Sequence, residues 1–179
     1  MRLVGIGGTF RKDSFSMGLL KAVKELLPEG ITFEILDFKD FPPYNPDIEI
    51  PEEIKIFKDK IKQSDAVLFS TAEYNYSVPG NLKNAIDWAS RPYGDNSFED
   101  KPAAIISEST GQLGGSRAQY HLRQIMVFLN MHPINKPEAI VPFAQDKFDE
   151  DGKLTDEKTR EKIKELLEAL AKWAERLSI

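Results

Sequence analysis

A chain of 179 residues, 41% hydrophobic and 30% charged, suits one domain spanning 1–179 with a substantial core. A formal net charge of −5 lacks the basic excess of a general nucleic-acid binder, so no nucleic-acid partner is expected. The absence of cysteine excludes disulfides, thiolate chemistry, iron–sulfur clusters and cysteine-ligated zinc, and two distant histidines point to no metal site. The opening residues read as a strand, not as a signal peptide, and no membrane span is visible, so a cytoplasmic location is expected.

In chain order, Arg2 to Ile6 is a short apolar strand that runs into Gly7-Gly8-Thr9-Phe10-Arg11-Lys12-Asp13-Ser14-Phe15-Ser16. The helix that follows has Leu19, Leu20, Val23, Leu26 and Leu27 on one face and ends at Pro28 and Gly30. Glycines allow a tight turn after the strand, and the helix N-terminus offers unpaired N–H groups and the positive end of its dipole. Hydroxyls at Thr9, Ser14 and Ser16, with the charge of Arg11, complete an anion cradle suited to one terminal phosphate. The spacing matches neither the dinucleotide fingerprint nor a Walker loop.

Ile31 to Leu36 alternates like a half-exposed strand near a sheet edge, and Asp37 to Pro51 is a proline-rich surface loop. A helix from Pro51 carries Ile54, Phe57 and Ile61 on one side. Ala66 to Ser70 reads as a strand buried on both faces. Beyond it lies Glu73-Tyr74-Asn75-Tyr76, two aromatics with a carboxylate and an amide, suited to a flat, heteroatom-edged ring. A helix then opens near Pro79, with Ser77 as its expected cap and Leu82, Ala85, Ile86 and Ala89 facing inward.

Pro102 to Ser107 is the fourth strand, and Glu108 to Arg117 is a second Gly/Ser/Thr-rich loop with backbone N–H groups to offer a polar ring edge. The next helix carries Ala118, Leu122, Ile125, Met126 and Leu129, and Val127 and Phe128 widen its apolar face enough to suggest subunit contact. Ile134 to Phe143 supplies the fifth strand and its exit, and Thr155 to Leu177 is a final amphipathic helix. This alternation predicts an α/β, three-layer sandwich with a five-stranded parallel sheet of order 2-1-3-4-5. That order brings the polar loops after strands one, three and four together at the switch point, as a pocket for a flavin mononucleotide.

These blocks resemble the NADPH-dependent FMN reductases, a family of flavodoxin-like chromate, quinone and azo-dye reductases. Thr9 to Ser16 is similar to the family's phosphate loop, G-S-x-R-x-x-S-x-N, with Thr9 for serine and Ser16 for asparagine. Ala72 to Trp88 resembles P-E-Y-N-x-S-x-P-G-x-L-K-N-A-I-D-W, with Ala72 for proline, and Gly114 to Arg123 resembles the third block. The resemblance implies that Thr9, Arg11, Ser14, Phe15 and Ser16 hold the FMN phosphate and ribityl chain. It places Ala72, Glu73, Tyr74 and Asn75 along the isoalloxazine with Tyr76 close by, and Ser107, Glu108, Ser109 and Gly111 at the pyrimidine end. It further implies NADPH or NADH as hydride donor, a small-molecule electron acceptor and a homodimer or homotetramer. No acid–base catalytic residue is implied, because the flavin carries the chemistry. Arg91 and Arg117 are candidates for a subunit salt bridge or a nicotinamide phosphate. A flavodoxin-like electron carrier without nicotinamide turnover and a flavin-binding regulatory module are the alternatives on the same fold.

Overall fold

The structure is a computed structural model that describes residues 1–11 and 13–178. Strand β1 (Arg2–Gly7) leads to helix α1 (Phe15–Glu25), β2 (Thr32–Leu36), α2 (Glu52–Lys62), β3 (Ala66–Ala72) and α3 (Gly80–Ala89). Then come β4 (Pro102–Glu108), α4 (Ser116–Phe128), β5 (His132–Pro133), β6 (Ala139–Val141) and α5 (Glu157–Leu177). The strands run in the order β2-β1-β3-β4-β5, all parallel, which is the flavodoxin-like topology expected from the sequence.

One expectation needs correcting. No continuous strand occupies Ile134 to Phe143; the fifth position is divided between two short pieces, both paired to β4. His132–Pro133 lies against Pro102 and Ala103, and Ala139–Val141 lies against Ile106 to Glu108. The intervening residues leave the ladder and return to it. An edge strand has one partner only, so its path is less constrained than that of β1, β3 or β4.

Alternation along the three central strands builds two cores. Val4, Ile6, Val67, Phe69, Ala103 and Ile105 face α2, α3 and α4, whereas Leu3, Ala66, Leu68, Ala104 and Ile106 face α1 and α5. β3 and β4 are buried along their whole lengths, the mark of a sheet covered on both sides. β2 is partly exposed, as an edge strand should be.

The proline-rich loop is tied to α3 by two side chains of its Asn-Ala-Ile-Asp-Trp run. Trp88 Nε1 and Asn84 Nδ2 both donate to the Pro42 carbonyl, at 2.8 and 2.9 Å, and Tyr44 packs edge-on against Trp88. Those residues of the motif are therefore spent on the scaffold.

Helix α5 starts with a side-chain cap. Asp156 accepts from the Thr159 amide at 2.8 Å and its hydroxyl at 2.6 Å, and from Lys147 Nζ at 3.0 Å. The Thr159 hydroxyl above all, with Lys147, holds this carboxyl down at about 2. The native state thus binds that proton less readily than the unfolded chain, so the stabilisation is complete above the ordinary carboxylate range and fades as pH falls toward about 2. Replacing the cap, Asp156→Ala, is expected to cost about 1–2 kcal/mol near neutral pH. Urea unfolding should show that difference shrinking in acid; an equal loss at both pH values would refute the cap's charge as its source.

Candidate functional site

The loops after β1, β3 and β4 meet at the carboxyl edge of the sheet. They enclose a cavity of about 200 Å³ lined by Thr9, Arg11, Ser14, Phe15, Ala72, Glu73, Tyr74, Glu108, Ser109 and Thr110. Most of the residues expected at a cofactor site are thus brought together. Thr110, which lies between two of the expected residues, is an added wall.

The phosphate-loop side of the cavity has an unusual hydrogen-bond inventory. Ser14 occupies the cap position of α1 with extended backbone (φ −77°, ψ 128°), yet its side chain makes no capping bond. Its Oγ is buried and has no partner among the described residues, and the same holds for Thr9 Oγ1. A serine at a helix start ordinarily satisfies an amide of the first turn, and buried hydroxyls without partners are rare and costly. Here two hydroxyls and the uncapped amides of α1 sit at one end of a cavity with Arg11 on its wall. These donors suit a dianionic phosphate.

Ser16 does not line the cavity directly. Fully buried in the first turn of α1, it donates from Oγ to Glu108 Oε1 at 2.8 Å and accepts from Ser70 Oγ through its carbonyl at 2.9 Å. Glu108 ends β4 and is 5% exposed. Burial pushes its carboxyl above the ordinary range, while the bond from Ser16 and the charge of Arg11 partly hold it back. Ser107 also stays behind the cavity, accepting from Gln119 Nε2 at 3.0 Å, and the Gly111 carbonyl closes its own loop by accepting from the Gly114 and Phe143 amides.

The aromatic loop is a tight turn. The amide of Tyr74 donates to the Ser77 carbonyl and the amide of Ser77 to the Tyr74 carbonyl, both at 2.9 Å. Asn75 (φ 49°) and Tyr76 (φ 68°) are both left-handed between them, the pattern of a type I′ turn. Asparagine tolerates that region; tyrosine does so at a cost of about 1–2 kcal/mol. Tyr74 lines the cavity, whereas Asn75 and Tyr76 are not among the residues that line it. Ser77, expected to cap α3, is used instead by this turn and by His121 Nδ1, 3.0 Å from its Oγ; Pro79 stands at the cap position.

Glu73 explains what holds Tyr76 in place. Its carboxylate accepts from the Arg117 and Ala118 amides at 3.0 and 3.3 Å and from Arg117 Nε at 2.6 Å, with Arg117 Nη2 completing a two-pronged ion pair. It thus closes the start of α4 from another loop, where Gly115, at the cap position, has no side chain to do so. The Arg117 guanidinium lies 3.5 Å from the Tyr76 ring centroid. Arg117 is therefore paired within its own chain. Arg91 stacks on Tyr93 with Phe128 nearby, at 4.0 and 5.6 Å.

The family model described as NADPH-dependent FMN reductase matches residues 1–146. An NAD(P)H-dependent FMN reductase of Pseudomonas aeruginosa, PA1204, is 46% identical over 180 residues, covering 99% of this chain and 97% of that protein. An NADPH:quinone oxidoreductase of Arabidopsis thaliana is 46% identical over 186 residues, covering 99% of this chain and 93% of that one. The solved structure of FerB, a flavoenzyme NAD(P)H:(acceptor) oxidoreductase from Paracoccus denitrificans, superposes with a TM-score of 0.90 at 38% identity and covers 99% of both chains. Both the sequence match and the superposition extend over the loops that form the cavity. The chain belongs to the NADPH-dependent FMN reductase family, oxidoreductases whose cofactor is FMN and whose reductant is NAD(P)H.

Proposed function

We propose that the cavity at the carboxyl edge of the sheet is the FMN site and that the protein uses NAD(P)H to reduce a small-molecule acceptor of the quinone type. The observation that carries this reading is the pair of buried, unpartnered hydroxyls, Thr9 Oγ1 and Ser14 Oγ, beside Arg11. Bound FMN would supply the redox chemistry between NAD(P)H and the acceptor. Thr9, Ser14 and the first amides of α1 bind the phosphate, and Arg11 neutralises it. Ala72, Glu73 and Tyr74 orient the ring, with Tyr74 bordering the open side where a planar substrate enters. Thr110 presents a backbone donor to the ring's polar edge, where it stabilises negative charge, whereas the Ser109 amide is spent on the Val141 carbonyl. No side chain need move a proton for the hydride step.

The chain acts as one flavodoxin-like domain in the cytoplasm; among the described residues no helix is long and apolar enough to cross a membrane. Val127 and Phe128 on α4, 80% and 66% exposed, with Tyr93 beside them, favour a homodimer or homotetramer built on that face.

Arg11→Ala separates this reading from a merely flavin-like fold. Loss of one charge-assisted contact to a phosphate is expected to weaken FMN binding about 10- to 100-fold. Riboflavin, which has no phosphate, should lose little. Fluorescence quenching titrations of both flavins measure the ratio; equal losses would remove Arg11 and its neighbours from the phosphate site. Bleaching of the bound flavin by NADPH or NADH under anaerobic conditions, followed by reoxidation with a quinone, tests turnover. A flavin that stays oxidised with both nucleotides would favour an electron carrier.

A further inference from the structure

The cavity holds a group that FMN reduction does not call for, the buried carboxyl of Glu108. It ends β4 on the wall of the cavity that also carries Thr9, Arg11 and Ser14, and it accepts from the Ser16 hydroxyl at 2.8 Å. We propose that Glu108 is a proton-holding residue of the cofactor site, taking a proton from solvent when the FMN phosphate enters the cradle. The proposal rests on the assignment of this cavity to FMN.

The charges around Glu108 fix the direction. Among the described residues lining the cavity, Arg11 on the loop after β1 is the one cation, and Glu73 on the loop after β3 is the other carboxylate. Glu73 is committed to Arg117 and to the amides of α4. Helix α1 presents the neutral Ser16, and the loop before α4 presents the backbone of Gly115. Arg11 is thus the charge that helps Glu108 stay ionised, against the burial that opposes it. A phosphate monoester, carrying close to two negative charges, engages Arg11 and adds like charge in the same cavity. Both effects favour the neutral acid. A protonated Glu108 then becomes a donor where an ionised one would repel.

The coupling is open to calorimetry. Apoprotein is titrated with FMN from about pH 7 to 9, above the second phosphate ionisation, in pairs of buffers with different ionisation enthalpies. The wild type is expected to take up as much as about one proton per FMN within this range, with affinity falling by up to about tenfold per pH unit. Glu108→Gln keeps the shape and the acceptor for Ser16, and should show neither the uptake nor the slope. Ser16→Ala removes the bond that favours the ionised form and should move the uptake window to higher pH, which provides a second reading should Glu108→Gln fold poorly. Equal proton uptake in wild type and Glu108→Gln, with FMN bound by both, would overturn the proposal alone. So would weaker binding by Glu108→Gln without wild-type uptake, the signature of an ionised Glu108 accepting from cofactor hydroxyls. Absence of FMN binding by the wild type would overturn the cofactor site itself, and this proposal with it.

Discussion

Glu73→Ala is expected to destabilise the protein by about 2–3 kcal/mol and to weaken flavin binding together with it. The carboxylate is 7% exposed and serves two backbone amides of α4 as well as the Arg117 side chain. Removing it leaves the first turn of α4 without its acceptor and releases the guanidinium that covers Tyr76. Tyr76 is left-handed, so its conformation is costly unless the surroundings hold it. Without the clamp the turn from Tyr74 to Ser77 should relax, and Tyr74 would lose its place on the cavity wall. Glu73→Gln tests the same idea at half strength. Its one carbonyl oxygen still accepts an amide, but the charge and the second acceptor are gone, so its loss should be intermediate. Urea unfolding of the apoproteins gives the stability difference, and amide exchange at Arg117 and Ala118 gives its location. An Ala variant as stable as the wild type, with those amides still protected, would show that the carboxylate does not anchor α4.

How far the sequence alone leads depends on how local each interaction is. Strands β1, β3 and β4 are legible because burial on both faces demands a continuous apolar run, and the helices because one buried face repeats every turn. The order of the sheet follows from that alternation and from handed crossovers. The split fifth strand is not legible, since its register is set by β4 alone and its residues carry no strong pattern. In the site, Thr9, Arg11 and Ser14 stand out as a polar loop at a helix start. That the Ser14 hydroxyl is left unused is a property of the folded backbone. The pairs Glu73–Arg117 and Ser16–Glu108 join residues 44 and 92 positions apart, and no spacing rule reaches so far. The turn at Asn75 and Tyr76 is not legible as a type I′ turn for another reason. A type I′ turn asks for glycine at its second central position, and tyrosine there hides the signal. It is also where local preference yields to a cation stacked from another loop.

Gly115→Ala should be the more damaging of two glycine substitutions that look alike in backbone conformation. Gly115 (φ +78°) and Gly152 (φ +75°) are both left-handed, so alanine at either costs about 1–2 kcal/mol from the backbone alone. At Gly152 an added Cβ meets nothing within 4 Å. At Gly115 it would lie 2.7 Å from the Glu108 carbonyl oxygen and 3.0 Å from the Glu108 amide nitrogen, where no side chain can swing away. The loop before α4 must then lift off the end of β4. That movement disturbs the carboxyl of Glu108 and draws α4 away from Glu73. Gly115→Ala is therefore expected to lose about 3 kcal/mol or more and to bind FMN weakly even where it remains folded, whereas Gly152→Ala should lose about 1–2 kcal/mol and bind FMN normally. Denaturant midpoints and flavin titrations on the pair measure both quantities. Equal stability losses would mean that the loop before α4 accommodates a methyl group without moving, and the close approach of its backbone to β4 would then have no part in shaping the cavity.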